Sequence, residues 1–445
     1  MKNLLTLFFG LLLLSASFTG TSQENWSLQK CIDYALENNI QLKQQALNTV
    51  YSETQVNQAK SDRLPNLNAG ISNNFNFGRS ITYDNTYKNV NSSQYNGYLS
   101  TDVTLWNGLI LQNTIKQRSL DLQATIQDLQ KAKDDMMLSI AASYLEILFA
   151  EELELVSLAQ IEVTQQQINR TQQLVDAGSL ARGALLEIEA QLAREELQHV
   201  NDQNRVQLAY LNMYQFLELP IAESFKIEKP KLIEIRANSS MANSFDVFKN
   251  AMNVRPEIKA AQLRVESSRR QLDIAKGYRY PSLSFGANYY NLYNNKYTDF
   301  TGTDISFSDQ LKNNKRYGMG LTLNIPIFNR YQVKNSISNA TLQITDFEYR
   351  LQNSRNVLRK DIEQAYTNAL AALNRYISSE KAVSSMEEAF RYTEEKFNVG
   401  MVNTVEYNQS KNNLTMAQSE LLQSRYEYIF RTKILDFYNG VPIEL

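Results

Sequence analysis

Four short runs of the chain alternate apolar and polar residues, which is the pattern of β-strands with one apolar face. In the last run, Tyr, Met, Leu, Leu, Ile and Ile at odd positions alternate with Gly, Gly, Thr, Asn and Pro. Each run is about 11 residues long, the length of a tilted strand that crosses a bilayer. The runs are residues 67–77, 95–105, 283–293 and 317–327. They predict four membrane strands, with a soluble sheet over a helical core as the alternative.

A long stretch follows each pair of alternating runs. The second has apolar residues at spacings of three and four, the heptad pattern of packed helices. The first, residues 107–175, contains no proline and one glycine, and predicts a helix of roughly 100 Å at 1.5 Å per residue. An ordinary soluble bundle shares the heptads, but a globular domain does not need such a helix. The predicted long helices are 107–175 and 329–397, with return helices at 180–217 and 402–437.

The chain contains one unit twice. Residues 35–67 align with residues 251–283 without a gap, and residues 95–221 align with residues 317–443 in the same way. Because the matches run in one order at nearly fixed spacing, we interpret the chain as an internal two-fold repeat.

Each repeat has the same order of elements. A helix ends before a proline, two alternating runs follow, and a glycine turn joins a long helix to a return helix. The opening helices are predicted at Leu28–Asp62 and Phe245–Tyr278. The predicted division is a signal peptide at 1–22, a first repeat at 23–221, a linker at 222–244 and a second repeat at 245–445.

The beginning of the chain has the composition of a secretory signal. Lys2 precedes the apolar stretch Leu4–Leu14, and small or polar residues follow. The stretch is too short for a membrane helix, so we expect a cleaved signal, with a buried N-terminal helix as the alternative. No other stretch has the 18 or more apolar residues that a transmembrane helix needs.

The composition excludes several classes of function. A net charge of −2 and a pI near 5.8 give no reason to expect nucleic acid as a partner. The single cysteine, Cys31, and the single histidine, His199, do not suffice for a Cys/His zinc site. We interpret Cys31 as a small apolar helix residue and His199 as a solvated one. The sequence therefore predicts no catalytic residue, no metal, no cofactor and no enzyme activity.

Four membrane strands cannot close a barrel on their own. An open sheet edge in lipid leaves backbone N–H and C=O groups unpaired, at several kcal/mol each. Closure must come from further copies of the chain. Two copies give eight strands, whose interior is filled by side chains, and three give twelve strands with room for a lumen.

Several short motifs, repeated in order, resemble the TolC-like outer membrane efflux family. The resemblance covers nearly the whole chain after the signal. It begins at Trp26–Leu28 and Cys31–Asn38, and it ends at Asn439–Pro442. Junctions between strands and helices, marked by Pro65, Pro281, Trp106 and Phe328, also resemble that family.

The resemblance implies a fold that is mainly α with membrane β. It implies a homotrimer with a twelve-stranded barrel, a twelve-helix periplasmic tunnel of α-helical hairpins, and an equatorial belt that includes the 222–244 linker. The chain would lie in outer-membrane lipid of a Gram-negative bacterium and extend into the periplasm. It would pass substrates from an inner-membrane pump of the RND, ABC or MFS type through a periplasmic membrane-fusion adaptor, in tripartite efflux or type I secretion.

The resemblance also suggests site residues at the two helical turns. Adaptor docking would involve Gly178, Leu180, Val399, Gly400 and Val402. The family narrows its closed tip with acids six and nine positions after the second turn glycine. Those positions hold Glu406 and Gln409, and the first repeat has Ala184 and Glu187 at the same offsets. An ordinary solvated helix carboxylate is the alternative for Glu406.

A second class of function fits the same helices. A secreted periplasmic coiled-coil scaffold or adaptor, with a small β-domain and no pore, would share the signal and the heptads. The scaffold would be soluble without detergent, whereas a channel would require detergent for extraction.

Overall fold

The computed structural model describes residues 25–81, 85–220, 225–230 and 242–443. The predicted signal peptide and most of the predicted 222–244 linker lie outside the described residues. The chain forms two compact units. One contains the described parts of residues 1–44, 131–255 and 358–445, and the other contains those of 45–130 and 256–357.

Helices make up most of the described chain. Within these residues no helix combines the length and the apolar character that a membrane crossing requires. The helices are α1 (Leu28–Asn38), α2 (Ile40–Ser61), α3 (Ile110–Asp176), α4 (Arg182–Leu217), α5 (Ser244–Val254), α6 (Pro256–Gly277), α7 (Phe307–Asn313), α8 (Gln332–Asn398) and α9 (Thr404–Tyr438).

The strands form one large sheet and two small ones. The large sheet is an antiparallel meander of order β2-β5-β7-β8, while β1 pairs with β6 in parallel and β3 pairs with β4 as a hairpin. The strands are β1 (Asn25–Trp26), β2 (Asn68–Asn76), β3 (Arg79–Ile81), β4 (Tyr87–Asn89), β5 (Ser92–Trp106), β6 (Lys226–Ile227), β7 (Ser282–Asn294) and β8 (Arg316–Asn324).

The main hydrophobic core of the first unit surrounds the middle of α3. Tyr144 is buried there among apolar residues of α1, α4 and α9. Its hydroxyl lies 2.6 Å from the carbonyl oxygen of Glu228 and 3.1 Å from that of Trp26, and therefore joins the β1–β6 pair to α3. Burial raises the pKa of Tyr144. The phenol therefore stays protonated, which suits its role as a hydrogen-bond donor.

The opening helix of each repeat is broken, where the sequence predicted continuous helices. In the first repeat, the side-chain oxygen of Asn39 accepts hydrogen bonds from the backbone N–H groups of Gln41 and Leu42, and so caps α2. In the second, Arg255 precedes Pro256, and a residue before proline avoids the helical conformation. Arg255 pairs with Asp134 at 3.2 Å.

The long helices start three residues later than predicted, for a reason that both repeats share. Gly108 and Leu109 have φ of 66° and 64°, and Arg330 and Tyr331 have φ of 53° and 61°. Two successive left-handed residues make a tight turn that no α-helix can contain. The chain therefore turns before α3 and α8 begin.

The last strand is shorter than predicted. It ends at Asn324, so Ile325 and Ile327 lie outside it. Pro326 has no N–H with which to extend the ladder. The two central strands, β5 and β7, are longer than predicted. The connection between β2 and β5 contains the β3–β4 hairpin, and the connection between β7 and β8 contains α7.

Candidate functional site

The large sheet has one apolar and one polar face. Directly opposed residues of an antiparallel pair lie on the same face. The register places Leu99 opposite Tyr289 and Tyr289 opposite Tyr317, so the odd-numbered residues of the four strands share a face, on β5 as far as Val103. Beyond Val103 a register shift places Trp106 opposite Leu283. This apolar face consists mainly of Ala69, Ile71, Phe75, Tyr95, Leu99, Val103, Leu283, Phe285, Ala287, Tyr289, Tyr293, Tyr317, Met319, Leu321 and Leu323.

The opposite, polar face carries hydroxyl and amide side chains that bond to one another. Tyr290 donates a hydrogen bond to Asn96 at 2.6 Å, and Asn96 donates to Ser72 at 3.4 Å. Gln94 donates to the same Asn96 oxygen at 2.9 Å. Groups of this kind can be satisfied by water, whereas the apolar face suits a lipid environment.

Both edges of the large sheet lack a partner strand within the described chain. The strand order leaves β2 at one edge and β8 at the other. Each of these edge strands therefore has backbone N–H and C=O groups available to a further strand.

The two helical turns have the same backbone geometry. Gly178 and Gly400 have φ of 73° and 74°. The N–H of Gly178 donates to the carbonyl of Val175 and that of Gly400 to Phe397. The N–H of the following residue reaches back five positions in each case, to Leu174 and to Lys396. These bonds form a Schellman motif, and only glycine adopts its left-handed position without cost.

The suggested docking residues differ in exposure. Gly178, Val399 and Gly400 are exposed, whereas Leu180 and Val402 are half-buried. Val402 packs against a small core in which Tyr407 lies between Phe390 and Phe397. Burial raises the pKa of Tyr407 to about 12.

The suggested gate residues lie near the beginnings of α4 and α9. Glu406 is exposed, and its backbone N–H donates to the side chain of Asn403, the N-cap of α9, at 2.9 Å. Gln409 is exposed and donates to Asn413 at 3.0 Å. On α4, Ala184 is half-buried and Glu187 is exposed. An acid in the first turn of a helix also interacts favourably with the helix dipole.

The junction residues occupy strand–helix connections of the second unit. Trp106 packs edge-on against Tyr280 with ring centroids 6.2 Å apart, and Phe328 packs against Tyr331 at 5.7 Å. Pro65 and Pro281 each precede a strand of the large sheet. Gly108, which follows the Trp106 junction, lies so close to Gly277 that a Cβ would be 2.5 Å from its carbonyl oxygen.

A buried ion pair near the second turn was not predicted from the sequence. Lys411 is 3% exposed, and its ammonium donates to Glu195 at 2.9 Å, to the Gln160 carbonyl at 3.2 Å and to the Thr164 hydroxyl. Glu195 also accepts a hydrogen bond from Gln191 at 3.0 Å. Burial lowers the pKa of Lys411, and the hydrogen bond to Glu195 opposes that shift.

A sequence signal for the ion pair does exist. Lys411 falls on the buried stripe of α9, at helical spacing from Tyr407 and Leu414. A lysine at such a position requires a buried anion. His199 is half-buried on α4, where its ring nitrogens lie 3.0 Å from the hydroxyl of Ser157 and 3.0 Å from the side-chain nitrogen of Gln203.

A chain of long helical hairpins with a two-faced antiparallel sheet has the architecture of an outer-membrane channel protein. Residues 31–217 and 247–435 match the sequence pattern of the family described as "Outer membrane efflux protein". The chain belongs to this family. The double match confirms the internal repeat, and the mainly helical fold with membrane β-strands is confirmed.

Individual relatives agree with this assignment. TolC of Escherichia coli strain K12 is 24% identical over 445 residues, covering 96% of this chain and 84% of that protein. The protein named "Proteases secretion protein PrtF" of Dickeya chrysanthemi is 21% identical over 426 residues, covering 94% and 89%. The crystal structure of the outer membrane protein VceC from Vibrio cholerae has a TM-score of 0.75 at 16% identity, covering 94% of this chain and 97% of that one.

The family determines the class of function. The protein is an efflux channel of the Gram-negative outer membrane and not an enzyme. The predicted location and class are therefore confirmed, and the alternative of a periplasmic scaffold without a pore was wrong.

Proposed function

We propose that three copies of this chain form the outer-membrane duct of a three-part export system. Its other parts would be a periplasmic membrane-fusion adaptor and an inner-membrane pump of the RND, ABC or MFS type. The two-faced sheet with two open edges is the observation that carries this proposal. Three copies supply twelve strands, in which the polar faces line a lumen and the apolar faces contact lipid.

The relatives and the two turns support the proposed partners. The name of PrtF assigns that protein to protease secretion, and secretion across two membranes requires an energised partner in the inner membrane. Around the second turn, Val399, Met401 and Val405 expose most of their side chains. Apolar side chains on such a turn suit a protein partner, and we assign adaptor docking to the two turns.

We further propose that Glu406 forms a ring of three carboxylates at the narrow end of the tunnel. Such a ring favours cations and repels anions. It would act without the second acid of the family, because Gln409 stands at that position. Glu187, the exposed acid of the first repeat, is the second candidate for the ring.

Ion selectivity in planar bilayers tests the ring. The Glu406→Gln channel should lose most of its cation selectivity, and Gln409→Glu should increase it. Both effects should weaken above roughly 0.15 M salt, where the Debye length is about 8 Å. Glu187→Gln tests separately whether the acid of the first repeat shares the ring. Unchanged reversal potentials for Glu406→Gln would assign that carboxylate to the solvated surface, and absence of conductance by wild-type trimers would contradict the duct itself.

A further inference from the structure

The apolar face of the large sheet contains a depression. Its cavity volume is about 390 Å³, within the roughly 300–1,000 Å³ range of small-molecule sites. The apolar residues that line it include Leu99, Phe285, Ala287, Tyr289, Tyr317 and Met319. Ala287 lies in the row between those of Phe285 and Tyr289, and its small side chain leaves space between these two rings.

The register explains these rows. Ala287 pairs with Thr101 on β5 and with Met319 on β8. One neighbouring row contains Phe285 and the other contains Tyr289. The depression is therefore a property of the sheet itself, and its apolar walls suit a hydrocarbon chain.

The side of the depression that leads to the β7–β8 connection carries aromatic and then cationic residues. The rings of Tyr289 and Tyr317 lie 5.2 Å apart. Lys315, which is exposed, lies two residues before Tyr317 and immediately before β8 begins. Aromatic rings beside cations are typical of the boundary between the acyl chains and the headgroups of a membrane.

Helix α7 is fixed against this end of the apolar face. Phe307 packs edge-on against Tyr293 at 4.9 Å, and the side chain of Asn291 donates to the Leu311 carbonyl at 2.9 Å. Gln310 is 2% exposed and forms hydrogen bonds of 2.8 Å with both the N–H and the carbonyl of Asn294. The bonds hold the helix, which includes the exposed Lys312, against this end of the face.

Charged groups at this end of the face include the exposed lysines Lys312 and Lys315 and the exposed carboxylate of Asp309, which accepts a hydrogen bond from Ser306 at 2.6 Å. Neither Lys312 nor Lys315 forms an ion pair with any residue in the part of the chain that the structure describes. Two lysines can bind a phosphate as point charges. The helices that extend into the periplasm leave the sheet at its other end. Since the family lies in the outer membrane, the end with the β7–β8 connection is on the extracellular side.

We propose that the apolar face binds a phosphorylated glycolipid of the outer leaflet, of the lipid A type. One acyl chain occupies the depression over Ala287, and a phosphate of the headgroup contacts Lys312 and Lys315. From the depression towards the β7–β8 connection, the order of apolar lining, tyrosine pair and lysines matches the order of acyl chain, interface and phosphate in such a lipid. A zwitterionic lipid would lack the net negative charge that the two lysines attract.

Native mass spectrometry of the detergent-purified protein with added lipid A tests the site. The double variant Lys312→Gln/Lys315→Gln should bind bisphosphorylated lipid A roughly 10- to 30-fold more weakly, on the order of 1 kcal/mol for each lysine near a lipid surface. The matched control is Lys360→Gln/Lys381→Gln, which removes two exposed lysines of α8 and should bind as the wild type does.

Two further arms separate the acyl and phosphate contributions. Ala287→Leu, which fills the depression, should weaken binding of phosphorylated and dephosphorylated lipid A alike. The wild type and the lysine variant should bind dephosphorylated lipid A with the same affinity, because this lipid lacks the phosphate that the lysines would contact. Three results would each overturn the proposal. The lysine variant could bind lipid A as tightly as the wild type does, or the control variant could lose as much affinity as the lysine variant. The wild type could also bind phosphatidylglycerol as tightly as lipid A. The lipid arms do not depend on conductance, so they remain informative if the proposed duct fails its own test.

Discussion

Single residues determine the geometry of the two helical turns and the buried ion pair beside the second turn. A glycine after a long helix indicates a left-handed C-terminus, and Gly178 and Gly400 both adopt it. The partner of Lys411 lies far away along the chain, on α4, and no local pattern identifies Glu195 as its anion. Heptad spacing shows that position 411 is buried, but only the packed helices show what neutralises the ammonium.

Removal of the Lys411 ammonium should destabilise the first unit. Lys411→Met leaves Glu195 buried without its cation, and breaking a buried pair on one side costs roughly 3–5 kcal/mol. The double variant Lys411→Met/Glu195→Gln should recover most of this loss, because Gln keeps hydrogen-bonding capacity for Thr164 and Gln191 and carries no charge. Chemical denaturation followed by circular dichroism measures both. A double variant as unstable as the single one would contradict this explanation.

The thiol of Cys31 should be unreactive in the folded chain. Its side chain is fully buried, and burial raises its pKa from 9.0 to about 12. Because the pKa of Cys31 is higher in the folded than in the unfolded chain, the contribution of the buried thiol to stability is complete below pH 9. That contribution declines as the pH rises towards 12. A thiol reagent at pH 9 should therefore modify the denatured protein and leave the native protein unmodified. Rapid native labelling would mean that α1 opens away from the core.

At the scale of elements, hydrophobic periodicity predicted whether a segment is a helix or a strand, and which residues share a face. It predicted the first and last residues of each element less well. Alternation identified the strands of the large sheet, and the register places the alternating residues on common faces. The ends differed where a backbone constraint interrupted the pattern. Pro326 ends β8, the Asn39 cap divides α1 from α2, and the left-handed pair at Arg330 and Tyr331 delays α8. Such constraints depend on hydrogen bonding and φ, which hydrophobic patterns do not record.

Strand parity is testable by charge insertion on the two faces of β8. Leu323 lies opposite Leu283 on the apolar face, and Thr322 lies opposite Ser284 on the polar face. Leu323→Arg should cost roughly 2–4 kcal/mol near the bilayer midplane, and Thr322→Arg should cost far less. Urea titration of protein refolded into lipid vesicles provides both values. Equal costs would mean that the faces are wrongly assigned.

At the scale of the whole molecule, the repeat is visible in sequence and in backbone. Gly108 and Leu109 match Arg330 and Tyr331 in both alignment and left-handed φ, although the residue types differ. The turn is therefore a property of the repeated unit rather than of one glycine. The repeat does not specify the number of copies, because in the proposed duct the sheet closes through edges that belong to different chains.

The two unpaired edges of the large sheet predict how many chains form the assembly. A single chain leaves β2 and β8 unpaired in lipid, at several kcal/mol for each exposed backbone group, so it should not persist as a folded monomer. Two chains would close eight strands, whose interior would be filled by polar-face side chains such as Asn96 and Tyr290. Three chains close twelve strands and leave a lumen. We therefore expect sedimentation velocity in detergent to show a trimer that heating converts to monomers with loss of the strand signal. A folded monomer with intact strands would remove the need for closure, and a stable dimer would contradict the duct.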